Sequence, residues 1–396
     1  MIKSVTGAAI VAGALALGPP AAFAKGVNVG TIGNRSSFSP DVSATGRYIA
    51  FASDATNLAP GDSNSRRDIF LRDTQNGTTK LVSKGVKGQV SNGASYYPSV
   101  SDNGRFVSFT SDASNLVVGD TNRKRDVFRV DLATGKTVRI SVAASGAQSN
   151  GASDGARMSG DGNLVVFSSL ATNLASKDTN RASDVFLRDI SANSTRRISI
   201  AATGDQFMGD ATMPTISSNG ALVGFRAPSG GVQGIYRWTR SPGKASLIAE
   251  GEVGSPVASN GGVSFGEGEY NEFCPDSYLA ISAAPATESF LVTNSDCSGS
   301  SDHAYDVSKW GAMSVISYYD YGLDADNLVV IDGNYELQSS LASDATPLKA
   351  RLSVRAINPS MSGDGSRVAF VALQDGLNQV FVWDWMAGTV SPVSVA

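Results

Sequence analysis

The sequence predicts an all-β fold in which one small antiparallel sheet is repeated along 396 residues. Glycines in tight turns recur at a constant spacing, at Gly46, Gly104, Gly162 and Gly220. The apolar residues around these turns alternate with period two, which is typical of strands, and no stretch keeps the helical period across three turns. A fixed period that is long enough to hold several strands indicates a repeat architecture.

The first repeat shows how each unit supplies four short strands. One strand begins at Pro40 and ends before the turn at Gly46. A second strand follows at 47–53, and a long polar loop at 54–67 leads to a third strand at 68–73. A hairpin turn at 74–77 then leads to the fourth strand at 79–83. Four-stranded units at this spacing are typical of β-propeller blades. Stacking them in a ring buries faces that a lone unit would expose to water.

Seven such units are predicted, and together they form one β-propeller domain over residues 38–396. The fourth unit lacks the long polar loop, and the fifth and sixth diverge most from the pattern. The alternative is a six-bladed ring in which the fifth or sixth unit is an insertion. The predicted blades lie near residues 38–88, 96–146, 154–204, 212–251, 254–299, 303–345 and 356–396.

The N-terminus has the pattern of a segment that directs export. Lys3 is the only charged side chain before Lys25, an apolar run follows it, and Ala22-Phe23-Ala24 fits a cleavage site. We predict a signal peptide over residues 1–24 and an entry segment over residues 25–37. An uncleaved anchor is the alternative, although the apolar run is short for a membrane span.

Charge is distributed unevenly along the chain. Residues 25–204 contain 22 basic and 15 acidic side chains, whereas residues 205–396 contain 9 basic and 21 acidic ones. The whole sequence has a net charge of −4, which argues against a general nucleic-acid-binding protein. Such a charge asymmetry shapes the electrostatic field of the protein and its choice of partner. The alternative explanation is that the sequences of the repeats have drifted apart without a functional reason.

The two cysteines, Cys274 and Cys297, are predicted to form a disulfide. An exported protein meets an oxidising compartment, where a pair of cysteines is normally bridged. Two cysteines alone have too few ligands for a structural zinc site.

The repeats resemble the WD40-like repeats of TolB-type propellers. The shared pattern is a proline, a serine or aspartate, a turn glycine, a basic residue and an apolar triplet, as in Pro40 to Phe51 and in Pro359 to Phe370. The resemblance implies a propeller exported to the bacterial periplasm or the cell exterior. It covers the propeller part alone, because TolB also has an N-terminal α/β domain, and it implies no chemistry.

The long polar loops carry the first candidate site. An Asp, an Asn and a second Asp recur at equal offsets, and oxygen ligands two residues apart suit a hard cation such as calcium. We favour the alternative that these side chains cap turns, because basic residues such as Arg66 and Lys124 lie beside them. The candidate ligands are Asp62, Asn64, Asp68, Asp120, Asn122, Asp126, Asp178, Asn180 and Asp184.

A second candidate site is an acidic segment in the fifth unit. Paired carboxylates can act as the acid and base of glycoside chemistry, whereas an acidic solvated loop would have the same composition. The candidate binding residues of this segment are Glu267, Glu269, Tyr270 and Glu272. The single histidine, His303 at the start of the sixth unit, is a separate candidate, for which we favour the alternative of an ordinary loop histidine.

These patterns predict an exported, non-enzymatic propeller that binds a protein or glycan of the cell envelope through one ring face. No catalytic residue is assigned, and calcium is the one cofactor that the sequence suggests. The alternative is a carbohydrate-active lyase or hydrolase that uses carboxylates of the fifth and sixth units. Neither interpretation involves nucleic acid or a transmembrane segment after signal cleavage.

Overall fold

A computed structural model places strands throughout the predicted repeats. It describes residues 31–251, 255–260 and 359–396 completely, and outside these ranges it describes strands alone. One strand, β1 (Lys3–Val5), lies within the predicted signal peptide, whose other residues are outside the described part of the chain. No helix among the described residues is long and apolar enough to cross a membrane.

Four similar sheets follow one another from Ser37 to Glu250. The first sheet contains β2 (Ser37–Val42), β3 (Tyr48–Ser53), β4 (Asp68–Asp73) and β5 (Thr78–Leu81). The second contains β6 (Ser95–Val100), β7 (Phe106–Ser111), β8 (Asp126–Asp131) and β9 (Lys136–Arg139). The third contains β10 (Ser153–Met158), β11 (Leu164–Ser169), β12 (Asp184–Asp189) and β13 (Ser194–Arg197). The fourth contains β14 (Thr212–Ile216), β15 (Leu222–Ser229), β16 (Val232–Thr239) and β17 (Lys244–Glu250).

The remaining strands continue the series. A short pair comes first, β18 (Val257–Ala258) with β19 (Val263–Ser264). Three strands that pair in chain order follow: β20 (Glu267–Gly268), β21 (Ser277–Ala280) and β22 (Phe290–Val292). A further sheet contains β23 (Ala304–Val307), β24 (Met313–Asp320), β25 (Ala325–Asp332) and β26 (Leu337–Ala342). The C-terminal sheet contains β27 (Leu352–Met361), β28 (Arg367–Gln374), β29 (Leu377–Asp384) and β30 (Thr389–Pro392). A 3₁₀ turn, Val86–Gly88, lies between the first two sheets.

The sheets are antiparallel meanders whose strands lie side by side in chain order. The middle strands are held together by cross-strand phenylalanine pairs, which add packing energy beyond the area that they bury. The ring centroids lie 5.7, 6.1 and 5.8 Å apart in the pairs Phe51–Phe70, Phe109–Phe128 and Phe167–Phe186. An exception to the simple order is β1, which pairs in parallel with β22.

The core lies between neighbouring sheets and not at the centre of each one. Ala50 and Ile69 of the first sheet pack with Phe109 of the second, and all three are almost fully buried. Close packing also explains a turn glycine, because the Cβ of any other residue at Gly104 would lie 2.0 Å from the ring of Tyr48. Gly104 has a φ of 72°, which glycine adopts without strain.

Among the described strands, contacts between successive sheets form a closed series in which the last sheet contacts the first. The series passes from the first to the fourth sheet, then to β18, to β23–β26 and to the C-terminal sheet, whose strands contact β2. The segment that leads into β2 also meets the last residues, because Ile32 bridges to Val395 and the Ala396 amide donates to the Thr31 carbonyl over 2.9 Å. The predicted all-β fold of four-stranded sheets is therefore confirmed.

Candidate functional site

The two edges of the sheets present different surfaces. At one edge the long loops between the second and third strands meet the linkers that lead to the next sheet, and we call this surface the long-loop face. In the first three sheets it consists of the loops 54–67, 112–125 and 170–183 and the linkers 82–94, 140–152 and 198–211. At the opposite edge, which we call the short-turn face, the strands are joined by tight turns such as 43–47 and 74–77.

Each long loop is shaped by its central asparagine. In the first loop Asn64 Oδ1 accepts the Arg66 amide over 2.8 Å, and Asn64 Nδ2 donates to Asp68 Oδ2 over 2.8 Å. Asn64 Nδ2 also donates to the Ser91 carbonyl, which ties the loop to the next linker. Asn122 and Asn180 make equivalent bonds in the second and third loops. The hydrogen bonds of these asparagines are those of side chains that cap a turn, which is the role that we favoured from the sequence.

The last aspartate of each loop is a fully buried hydrogen-bond acceptor at the start of a strand. Asp68, Asp126 and Asp184 each have zero exposure. A serine hydroxyl from the neighbouring strand end donates to each carboxylate over 2.5 Å, and the donors are Ser83, Ser141 and Ser199. A buried carboxylate is costly unless hydrogen bonds and a positive charge compensate it, so the nearby charges decide what each loop can do.

An arginine provides that charge in the second and third loops. Arg139 Nη2 lies 3.1 Å from Asp120 Oδ1, and Arg139 Nε lies 3.8 Å from Asp126 Oδ2. Arg197 Nη1 lies 3.4 Å from both Asp178 and Asp184. Because these guanidinium groups take the place expected for a calcium ion, a metal would have to displace them. The calcium hypothesis therefore has no support at Asp120, Asn122, Asp126, Asp178, Asn180 and Asp184.

The first loop differs at two equivalent positions. Leu81 takes the place of the arginine, and Val90 takes the place of Gln148, whose side chain caps the second loop. Asp62 is 9% exposed, and neither of its carboxylate oxygens has a hydrogen-bond partner among the described residues. Burial raises the pKa of Asp62, and the nearby Asn64 amide and Arg35 charge offset this only in part. Burial also raises the pKa of Asp68 to about 6.

The long-loop face is rich in basic side chains that have no carboxylate partner. In the described part of the chain, eight exposed basic residues of this face form no ion pair: Arg35, Arg66, Lys84, Lys87, Arg123, Lys124, Lys177 and Arg181. Two other arginines, Arg67 and Arg125, are paired with aspartates. Within the same described ranges, the exposed acidic residues at this edge of the sheets that lack an ion pair are Asp205, Asp210, Glu250 and Asp375.

A cleft of about 820 Å³ opens between the first and second sheets beside this face. Its lining combines three lysines with an apolar floor. The lysines are Lys80, Lys84 and Lys87, and the apolar residues include Val86, Leu116 and Val130. A cleft of this composition suits a ligand that combines negative charge with aliphatic or ring carbons.

The inner strands carry a set of polar contacts that sequence reasoning missed. The Val100 amide donates to Asp41 Oδ2 over 2.6 Å, and the Met158 amide donates to the Ser99 hydroxyl over 3.2 Å. Burial raises the pKa of Asp41 to about 6, although the charge of Arg157 lowers it. Asp41, Ser99 and Arg157 follow one another at the same interval as the turn glycines, so aligning the repeats would have shown this position to be polar throughout.

The predicted acidic site of the fifth unit is mostly outside the described residues. The backbone of Glu267 lies in β20 and pairs with Tyr278 in β21. Glu269, Tyr270, Glu272 and His303 are outside the described part, and so are Cys274 and Cys297. The binding role of this segment and the disulfide stay predictions.

Comparison with known proteins bears on the fold. No protein-family model matches the sequence, and no curated protein matches it. Among solved structures, the β-propeller domain of the Trilobed protease from Pyrococcus furiosus is 13% identical, with a TM-score of 0.59, over 92% of this chain and 97% of that one. Oligogalacturonate lyase from Vibrio parahaemolyticus is 12% identical, with a TM-score of 0.55, over 93% of each chain.

TolB structures are also among those found. TolB from Acinetobacter baumannii is 17% identical over 78% of this chain and 55% of that one, so this chain spans about half the length of TolB. Its TM-score is 0.40, and the fold assignment therefore rests on the other two structures. At these identities the similarity establishes a β-propeller and leaves the activity open, because binders and enzymes share this fold.

Proposed function

We propose that this protein is an exported, non-enzymatic seven-bladed propeller that binds an acidic glycan of the cell envelope through the long-loop face. Export is inferred from the N-terminal sequence pattern. For the ring, we assign β18–β22 to one blade, with β19 and β20 as two parts of its second strand. The sheets before and after this blade would then provide the other six.

The eight unpaired basic side chains of the long-loop face are the observation that carries the proposal. An exposed charge without a partner retains its long-range field, and several of one sign on one surface attract a polymer of the opposite sign. The cleft beside the face adds Lys80, Lys84 and Lys87 next to apolar walls. By contrast, Arg47 and Arg105 of the short-turn face are paired with Asp73 and Asp131 at 2.8 Å.

Charge reversal on one face at a time tests the proposal. The double variant Lys84→Glu/Lys124→Glu changes two exposed, unpaired lysines of the long-loop face. We expect it to weaken binding to an acidic polysaccharide such as polygalacturonate at least tenfold in low-salt buffer, because the nearby charges then repel the polymer. Added salt should weaken binding of the unmodified protein. Retention on an immobilised polysaccharide column measures both effects.

The matched control is Lys136→Glu/Lys244→Glu, which makes the same change in net charge on the short-turn side of the second and fourth sheets. Both lysines are exposed and unpaired in the described part of the chain. We expect this variant to bind as the unmodified protein does. Equal weakening by both variants would mean that net charge and not the long-loop face governs binding, and no retention of the unmodified protein would reject the proposal.

A carbohydrate-active lyase or hydrolase is the second candidate. It is favoured by the oligogalacturonate lyase among the fold relatives, since the substrate in its name is an acidic oligosaccharide, the class of ligand proposed here. Incubation of the protein with the same polysaccharides should then release shorter products. Loss of that activity in Glu269→Gln would support the fifth-unit carboxylates as the catalytic groups.

A further inference from the structure

The first long loop contains two buried carboxylates, Asp62 and Asp68, and no basic side chain forms an ion pair with either of them in the described part of the chain. Asp62 is 9% exposed, both of its oxygens are inaccessible to solvent, and neither has a hydrogen-bond partner among the described residues. Asp68 is fully buried and accepts hydrogen bonds from Ser83 and from Asn64. Ser91 also contributes a side-chain hydrogen bond to this carboxylate. A carboxylate oxygen can accept two hydrogen bonds or ligand contacts, so Asp68 Oδ2, whose donor is Asn64, retains a free position.

The second and third loops show what this arrangement requires. The aspartate pairs equivalent to Asp62 and Asp68 are each bridged by one buried guanidinium group, from Arg139 in the second loop and Arg197 in the third. The side chains of these arginines are 6% and 7% exposed. In two of the three equivalent loops, therefore, a positively charged arginine side chain of the protein lies between the two carboxylates.

We propose that the first loop binds a metal cation between Asp62 and Asp68, at the position that the guanidinium group takes in the other two loops. Leu81 occupies the arginine position in the first sheet and has no charge to offer. The available donors are carboxylate oxygens, which suit a hard cation of the calcium class. Water would complete the coordination shell, because two aspartates provide fewer ligands than calcium takes.

Arg35 is the competing source of positive charge. It lowers the pKa of Asp62 through its field, but burial has the larger effect and the pKa is raised overall. Arg35 is exposed and forms no ion pair in the described part of the chain. The Asn64 amide also lowers the pKa of Asp62, but neither it nor Arg35 forms a hydrogen bond or ion pair with the two buried oxygens in this structure. A metal cation bound between Asp62 and Asp68 would compensate both carboxylates.

Thermal unfolding of the chelator-treated full chain tests the proposal. We expect millimolar calcium chloride to raise the unfolding temperature by about 2 °C or more, because a ligand that binds the native state stabilises it by mass action. Magnesium chloride and sodium chloride at equal ionic strength serve as comparisons. A specific rise with any one of the three salts supports a cation site and identifies its preference, whereas equal small changes with all three reflect screening and reject it.

Two variants link the effect to the site. Asp62→Asn removes one carboxylate and should abolish the cation-dependent rise. Leu81→Arg copies the second and third loops, so it should unfold at a higher temperature than the unmodified protein in chelator and no longer respond to the cation. An unchanged response in both variants would place the binding elsewhere and overturn the proposal.

A third variant, Arg35→Ala, tests the competing charge. If Arg35 neutralises Asp62 in solution, the unmodified protein will not respond to any cation, and Arg35→Ala alone will gain a response. That result would also overturn the proposal, since the native loop would then provide its own counter-charge. The proposed metal site does not depend on the acidic-glycan function, and failure of one leaves the other standing.

Discussion

The first long loop and the two that follow it have the same backbone design but different electrostatics. In all three loops, an asparagine side chain and a serine hydroxyl both donate hydrogen bonds to one buried aspartate. In the second and third loops an arginine bridges two aspartates, whereas in the first loop Leu81 packs into the apolar core between sheets. The comparison teaches that side chains at the strand ends, and not the loop sequence itself, decide whether these carboxylates need an external cation.

The largest effect is expected from Arg139→Leu, which gives the second loop the leucine of the first. Asp120 and Asp126 would remain buried without a positive charge, and breaking a buried ion pair costs about 3–5 kcal/mol. We expect the free energy of unfolding to fall by about that amount, as measured by urea denaturation. The variant should also gain the cation-dependent rise in unfolding temperature that is expected of the first loop.

Arg105→Leu is the matched control in the same sheet. Arg105 pairs with Asp131 at 2.8 Å, but its side chain is 49% exposed. Solvent screens an exposed pair, so its loss should be much less destabilising. Equal destabilisation by the two variants would show that burial does not distinguish these pairs.

A smaller, pH-dependent effect is expected at Asp41, a carboxylate of the inner strands. Its folded pKa is about 6, above the ordinary value near ~4, so the folded protein holds this proton more tightly than the unfolded chain does. The stability that Asp41 contributes is therefore present at pH ~4 and is lost as the pH rises through ~6, by on the order of 3 kcal/mol.

The variant Asp41→Asn should lack this part of the pH dependence. Asp68 also has a pKa of about 6 and acts in the same direction in both proteins, so the quantity to compare is the difference between them. Denaturant unfolding at several pH values across this window measures it. Parallel stability curves for the two proteins would contradict the prediction.

The smallest effect is expected from Gln148→Val, which gives the second loop the valine that the first has at position 90. Gln148 Oε1 accepts the amides of Thr121 and Asn122, each over 3.1 Å. Because these bonds lie near solvent, their loss should lower the free energy of unfolding by about 1 kcal/mol. The reverse change, Val90→Gln, should raise it by less than that, and an opposite sign for either variant would break the comparison.

Much of the fold could be predicted from the sequence because the relevant signals are local. The turn glycines, the alternating apolar residues and the repeat spacing each depend on a few neighbouring residues, and the strands β3, β7 and β11 lie where the alternation placed them. The loop asparagines also act within their own loops, since Asn64 bonds to Arg66 and Asp68. These short-range bonds are why the sequence could predict that the asparagines cap their loops.

The electrostatic difference between the loops could not be predicted in the same way. Arg139 and Asp120 are separated along the chain by the whole of β8, and they meet only because the last strand of the sheet returns beside the long loop. Aligning the repeats shows that Leu81 replaces an arginine, but not that the arginine side chain lies between two carboxylates. The clustering of unpaired lysines and arginines on one face likewise depends on which loops share an edge.

The sequence by itself determined a chain of repeated four-stranded β-sheets, because strand and turn preferences act over a few residues and the repeat multiplies the same local signal. The tertiary structure alone decided which charges are buried, which are paired and which face solvent together. The reason is that electrostatic energy depends on distance and burial in space, and both are set by sheet packing between residues far apart in the chain.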